Sequence, residues 1–451
     1  MYKPYKKPIV TASPDVRVPP PKLSKFVVFL ITLLGRPYLF LLFGMAKIIL
    51  KGDKIVFDVF KRALAGESRC IIAFRHPDGR EPQLLSWLFL FRLKTLAAKN
   101  RIYFKRRPHA IFVYGYEVVR WGGAMARFFM PNIGAIPIHH TKLDSKGMAR
   151  IYSAIIDGPY PIALAPEGQV SYSTDSVPRL ETGTIRIGFQ AASIAAEKSK
   201  DCPVEILPLS VHFRYDKHGK AAMERLLEKT EKFCGFRHGK AALSFEERLR
   251  RCRDHILEIN ENRYGIKNDN SLSFELRLEQ VVNTALETAG RMLGIKSEDD
   301  FFSMLYKVRH TCWDRIFLPG VDSLKKVSRI QRGTMDLGAG EAWLIARHQE
   351  LADFGWYFRR PLPTEDSSLH NKVEYVQNLF DFANRTMGGA ISGRVNIHPR
   401  KVIIQAGRII DLSSRLPGYK ENKKAAVEKA AGDLEKAYLD CIDEVNMTEQ
   451  D

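Results

Sequence analysis

The chain has 451 residues, 45% of them hydrophobic and 27% charged. This globular composition excludes general disorder and gives room for about two to three domains. A formal net charge of +19 favours an anionic partner, nucleic acid or a membrane surface, without choosing between them.

Residues 1–25 carry Lys3, Lys6, Lys7, Arg17, Lys22 and Lys25 against Asp15, and read as a flexible or extended basic arm. The pattern of a signal peptide is missing, because apolar residues begin only at Phe26 and no small-residue cleavage site follows. Phe26 to Leu50 is the most apolar stretch, interrupted by Arg36 and Pro37. Proline disfavours helix at the residue before it, so a first piece ending at Leu34 would be about 13 Å long against a hydrocarbon core of about 30 Å. The expectation is a broken helical pair lying in the membrane interface, with Lys47, Lys51 and Lys54 near lipid headgroups. A transmembrane span and a buried hairpin are its alternatives.

From Ile55 to Tyr215 short apolar runs alternate with helical patterns. Cys70–Phe74, Ile111–Tyr114, Ile133–Ile138, Ile162–Ala165 and Glu205–His212 are predicted strands; Pro82–Leu93 and Gly183–Lys198 are predicted helices. The alternation predicts an α/β fold, a mostly parallel or mixed central sheet flanked by helices. Beyond Asp216 the texture turns helical, as in Ser244–Tyr264, Leu272–Leu293 and Ala425–Val445, with a further helix starting near Phe301 behind Ser297. Loops are expected near Arg359–Ser368 and Gly388–Arg400. Three segments result: a basic arm and interface helix over 1–54, an α/β domain over 55–215, and a helical C-terminal extension over 216–451. Six cysteines without a Cys-x-x-Cys pair read as reduced thiols in a cytosolic compartment.

Two of the predicted strands break straight into polar residues. IIAFRHPDGRE places His76 five residues before Glu81, and IALAPEG places Glu167 beside Gly168. Ligands of open α/β sheets gather at the carboxyl ends of strands, so the two exits predict one site built from distant pieces. His76 is the natural general base near neutral pH. A carboxylate on its other ring nitrogen would fix the tautomer, and Glu81 and Asp78 compete for that place. Neither a Gly-x-Ser-x-Gly elbow nor a Walker loop is present. Direct attack by a substrate hydroxyl on an activated acyl group fits that absence. His139 and His140 are adjacent and would face opposite sides of a strand, so polar packing is expected there rather than a metal. Gly338-Ala-Gly340 lacks the third glycine of a nucleotide fingerprint and reads as a tight turn. No cofactor is expected.

These blocks make the stretch from about Gly52 to Tyr215 resemble the glycerolipid acyltransferase superfamily, which includes the 1-acylglycerol-3-phosphate acyltransferases. Its His-x4-Asp block appears as His76–Glu81 with Glu for Asp, and its second block as Gly134 to His140. The third block appears as Ala165-Pro166-Glu167-Gly168-Gln169-Val170-Ser171. A short match over Leu180–Gly183 follows, and Ile206-Leu207-Pro208-Leu209 is the fourth block.

The resemblance implies acyl transfer from acyl-CoA or acyl carrier protein to the hydroxyl of a lysophospholipid, first of all 1-acylglycerol-3-phosphate. His76 would take the hydroxyl proton while Glu81 holds its imidazole. Glu167 and Gly168, with Gly134 and His140, would shape the acceptor site. The chain departs from the pattern at His140, where an arginine is usual, at Gln169-Val170, where Thr-Arg is usual, and at Thr182, where a lysine is usual. Arg150, Arg179 and Arg186 are the candidates to replace those cations. The alternatives are an acceptor with no phosphate near the site and an inactive lipid-binding scaffold. The implied location is the cytoplasmic face of a membrane. No nucleic acid is expected, since groove-reading and stacking motifs are missing.

Overall fold

The run Arg69–Phe74 is apolar from Cys70 onward and almost wholly buried, which suits a strand covered on both faces. It lies at the centre of a mixed eight-stranded sheet in a computed structural model describing residues 10–139, 144–198, 202–236, 243–296 and 300–449. The strands are β1 (Met45–Lys51), β2 (Arg69–Phe74), β3 (Ile111–Gly115), β4 (Ile136–Ile138), β5 (Ile162–Leu164), β6 (Val204–Arg214), β7 (Arg400–Ala406) and β8 (Ile410–Asp411). Their spatial order is β1-β7-β6-β2-β5-β3-β4, with β8 also beside β6. The five strands from β6 to β4 run parallel, while β7 and β8 are antiparallel to β6. The α/β fold expected from the alternation is the fold observed.

The apolar N-terminal stretch departs from expectation. It forms one helix, α1 (Lys25–Phe43), which passes through Pro37, and then the edge strand β1 rather than a second helix. Pro37 costs α1 one backbone bond, but packing of Val27, Val28 and Leu39 holds the turns on either side. Gly44, at φ 57°, stops the helix in the left-handed conformation that glycine adopts without strain. Continuous apolar runs do not distinguish a helix from a strand, so nothing in the sequence marks Met45–Lys51 as extended. Lys51 pairs with Glu449 at 3.2 Å, within the protein. Ahead of α1 the arm is extended: Ser13–Pro14 pairs with Phe317–Leu318, and Leu23 bridges to Ile133.

The helices that bear on the site are α2 (Glu81–Trp87), α3 (Gly123–Asn132), α4 (Ser145–Ile156), α5 (Gly183–Glu197), α6 (Phe301–Ile316), α7 (Leu369–Thr386) and α8 (Lys423–Thr448). The predicted helix after Glu81 continues beyond α2 as a π-helical segment, Leu88–Leu93. The helix at Phe301 is capped by Asp300, whose side chain accepts from the Ser303 N–H; Ser297 lies outside the described residues. Gly338 and Gly340 sit in the middle of the helix Arg329–Glu350, not in a turn.

The sheet crosses both segment boundaries drawn from the sequence. β1 comes from the first segment and β7 and β8 from the last, and β7 lies between β1 and β6. Residues of all three segments share one apolar core, among them Leu39, Phe74 and Phe382. Among the described residues Cys70, Cys234, Cys252, Cys312 and Cys441 are buried free thiols.

Candidate active site

β2, β5 and β3 run parallel, so their carboxyl ends open on one edge of the sheet. His76 follows β2 there and Glu167 follows β5. His76 Nδ1 lies 2.6 Å from Glu81 Oε2. Glu81 is fully buried as the first residue of α2. Its Oε1 accepts the Asp78 N–H at 2.8 Å and its Oε2 the Gly79 N–H at 2.9 Å, so the loop after His76 folds back to hold its own carboxylate. The competition between Asp78 and Glu81 is thereby resolved. Asp78 turns away from the imidazole and forms a bidentate pair with Arg400 at 2.8 and 2.9 Å.

The His76 side chain keeps 19% exposure, and its Nε2 has no hydrogen bond among the described residues. One ring nitrogen is therefore fixed and the other is without a protein partner among the described residues, an arrangement that could serve a general base. Burial works against the imidazolium, but the charge and hydrogen bond of Glu81, with Glu167 and Asp78 behind it, outweigh burial and raise the His76 pKa above its ordinary value.

Glu167 is buried and its carboxylate is occupied by the protein itself. Oε1 accepts from Arg75 Nε at 3.0 Å and Oε2 from the His76 N–H at 3.2 Å. The rest of the Arg75 guanidinium donates to the carbonyls of Thr174, Ser173 and Ser176 at 2.5, 3.0 and 2.6 Å. Glu167 thus fixes the backbone at His76, and Arg75 ties β2 to the loop leaving β5. Arg75 gave no signal in the sequence, because a lone arginine at a strand end usually reads as solvated.

Gly168 has φ 69°, and a Cβ there would stand 2.3 Å from Glu181 Oε1. The left-handed φ is what favours glycine here, since the Glu181 carboxylate is the movable end of its side chain. Glu181 in turn accepts from the Tyr306 hydroxyl of α6 at 2.7 Å. The Arg179 guanidinium lies 5.4 Å from the centre of the Phe302 ring, also on α6. Arg186, in the first turn of α5, and Arg150, on α4, are exposed and form no ion pair among the described residues. Gly134 precedes β4 and lies against Ile111 at the start of β3, so it sits on the opposite edge of the sheet from His76. It is not brought to the site. The reason is its place at the amino end of a strand whose carboxyl end carries His139. That histidine stacks on Tyr116 with ring centres 4.6 Å apart; His140 lies outside the described residues.

The C-terminal half reaches into the same region. Glu374 of α7 accepts from the Thr174 N–H at 3.1 Å and from its hydroxyl at 2.8 Å. His370 Nε2 lies 2.6 Å from Asp175 Oδ2. Burial disfavours the Asp175 charge, yet the hydrogen bond and charge of His370, with Arg214 and His212, hold its pKa well below the usual carboxylate range. The loop between Gly168 and Glu181 is therefore clamped from the C-terminal side.

No protein-family model matches the chain, and no curated protein matches it.

Proposed function

We propose that this chain is a membrane-associated O-acyltransferase that moves a fatty acyl group from a thioester to the hydroxyl of a lysophospholipid, with 1-acylglycerol-3-phosphate as the first candidate. The observation that carries this reading is the His76–Glu81 pair, with Nδ1 fixed and Nε2 open at the carboxyl edge of a largely parallel sheet. In the proposed step the acceptor oxygen attacks the thioester carbonyl carbon as His76 Nε2 takes its proton. The tetrahedral intermediate then collapses, the C–S bond breaks, and the imidazolium returns the proton to the leaving thiolate. Acyl-CoA and acyl carrier protein both fit as donors, and the positive field would draw the phosphates of either.

α1 supports a membrane location. Phe26, Phe29, Leu33, Leu34, Phe40, Leu41 and Leu42 are all exposed on it, Leu41 at 74%. By length and composition α1 is apolar enough to cross a bilayer, at about 28 Å. Both of its ends, however, are tied to one folded body, Ser24 to Asn132 of α3 and Met45 into the sheet. A helix held so at both ends favours lying in the interface over spanning. Trp121, Met125 and Phe128 are exposed at and before the joined helix α3. Replacing Leu33 and Leu41 together with glutamate is expected to weaken vesicle binding by about tenfold or more, since each buried leucine contributes roughly 1.5–3 kcal/mol. Flotation with vesicles of mixed neutral and anionic lipid measures this, and unchanged flotation would remove α1 from the membrane contact.

The deciding assay is acyl transfer by the purified chain from labelled acyl-CoA and acyl carrier protein to a panel of lysolipids, beside His76→Ala. Transfer to lysophosphatidic acid, lost in the variant, is the expected result. Preference for another acceptor would keep the chemistry and change the substrate. No transfer by folded, vesicle-bound protein would leave the inactive scaffold as the better account.

A further inference from the structure

Arg400 opens β7, in the part of the chain outside the resemblance. Its guanidinium is buried and grips both oxygens of Asp78. Its Nε donates to the carbonyl of Phe43, at the end of α1, at 3.3 Å, and its Cζ lies 4.2 Å from the centre of the Phe213 ring. The backbone N–H of Arg400 donates to the Gly44 carbonyl at 2.8 Å. Asp78 lies between His76 and Glu81, and its own N–H holds Glu81. A connected path therefore runs from Arg400 to the Asp78 carboxylate, from the Asp78 backbone to Glu81, and from Glu81 to the imidazole.

We propose that Arg400 is a positioning residue for His76, acting through Asp78 and the loop over residues 77–80. The catalytic consequence rests on the acyl-transfer reading; the effect on the imidazole does not. Two effects are separable. Geometrically, the two-pronged bond sets the loop whose N–H groups orient Glu81. Electrostatically, His76 faces the carboxylates of Glu81, Glu167 and Asp78. Asp78 is balanced by Arg400 first, then by Arg80 and Arg394, while Arg400 also faces Tyr215 and Glu81. Loss of the Arg400 charge leaves more uncompensated negative charge around His76 and favours the imidazolium, which cannot act as a base. Loss of the Asp78 charge does the opposite.

The test uses Arg400→Gln, Arg400→Lys, Asp78→Asn and the Arg400→Gln/Asp78→Asn pair in the full chain. The His76 imidazole is titrated by NMR, and kcat and KM are followed against pH. Arg400→Gln is expected to raise the His76 midpoint by about half a unit or more, and Asp78→Asn to lower it by a similar amount. The pair together should return it close to wild type. Arg400→Lys keeps the charge without the fork, so its midpoint should hold while kcat falls about tenfold with KM little changed. An unmoved midpoint in both single-charge variants, with rates falling only as the folded fraction falls, would overturn the inference. If Arg400→Gln does not fold, Asp78→Asn and Arg400→Lys carry the test. If the wild type transfers no acyl group, the NMR midpoints still decide it, so failure of the enzymatic reading and of this inference remain distinct.

Discussion

His76→Ala is expected to lower acyl transfer by at least about 10²–10⁴-fold, the usual contribution of a positioned general base. The fold should survive, because the side chain is partly exposed and its loss leaves Glu81 with two backbone donors. A second variant separates proton transfer from mere occupancy. Glu81→Gln keeps the shape and removes the charge that holds the imidazolium. The His76 pKa is raised in the wild type, so the neutral, active base predominates only above that raised value, and kcat/KM should climb with pH through it. In Glu81→Gln the midpoint should fall and the acid limb move to lower pH, while the rate on the plateau drops because the imidazolium formed during attack has lost its partner. The linkage to stability has the opposite sense. A group whose pKa is raised on folding adds stability that is complete below its unfolded value, about 6.5, and is lost as pH rises through the folded one. His76→Ala should therefore flatten that part of the wild-type stability profile. Urea unfolding at several pH values, run beside the rate profiles, measures both; an acid limb identical in wild type and Glu81→Gln would exclude His76 as the titrating base.

The parts of this site that were legible in the sequence are local. β2 and β5 showed as apolar runs because parallel strands are buried on both faces, and the polar residues at their exits marked the edge where chemistry gathers. Glu81 was readable as a partner of His76 because five residues separate them. What escaped was long-range. Asp78 and Glu81 both lie close enough in sequence to partner His76, and the residue that engages the Asp78 carboxylate instead, Arg400, lies 322 residues beyond it. The strand that carries Arg400 fell in a region read as helix and loop, since nothing in RKVIIQA announces insertion beside β6. β1 was hidden by the opposite problem, an apolar run long enough to pass for the continuation of α1. Glu167 is legible as a residue of this edge, but the buried Arg75 that takes its carboxylate has no sequence signature.

That inward turn sets the largest expected effect on stability. Arg75 and Glu167 have no exposed side-chain surface. Glu167→Gln leaves a buried guanidinium without its anion, and Arg75→Met leaves a buried carboxylate without its cation and three carbonyls without their donor. Removing one partner of such a pair costs about 3–5 kcal/mol, a large fraction of the stability of an ordinary domain. Each single variant should therefore unfold at much lower urea concentration than the wild type. The double variant Arg75→Met/Glu167→Leu removes both charges, and replacement of a buried pair by apolar groups of similar volume is often close to neutral. It should recover much of the loss, short of wild type by the carbonyls left without donors. Activity should not recover with it, because the His76 N–H loses its acceptor and the loop carrying Gly168 its tie to β2. Urea melts of the four proteins give the coupling between the two sites, and the transfer assay gives the split between stability and rate. Additive stability losses, or a double variant as active as wild type, would show that the pair neither acts as a unit nor supports the catalytic edge.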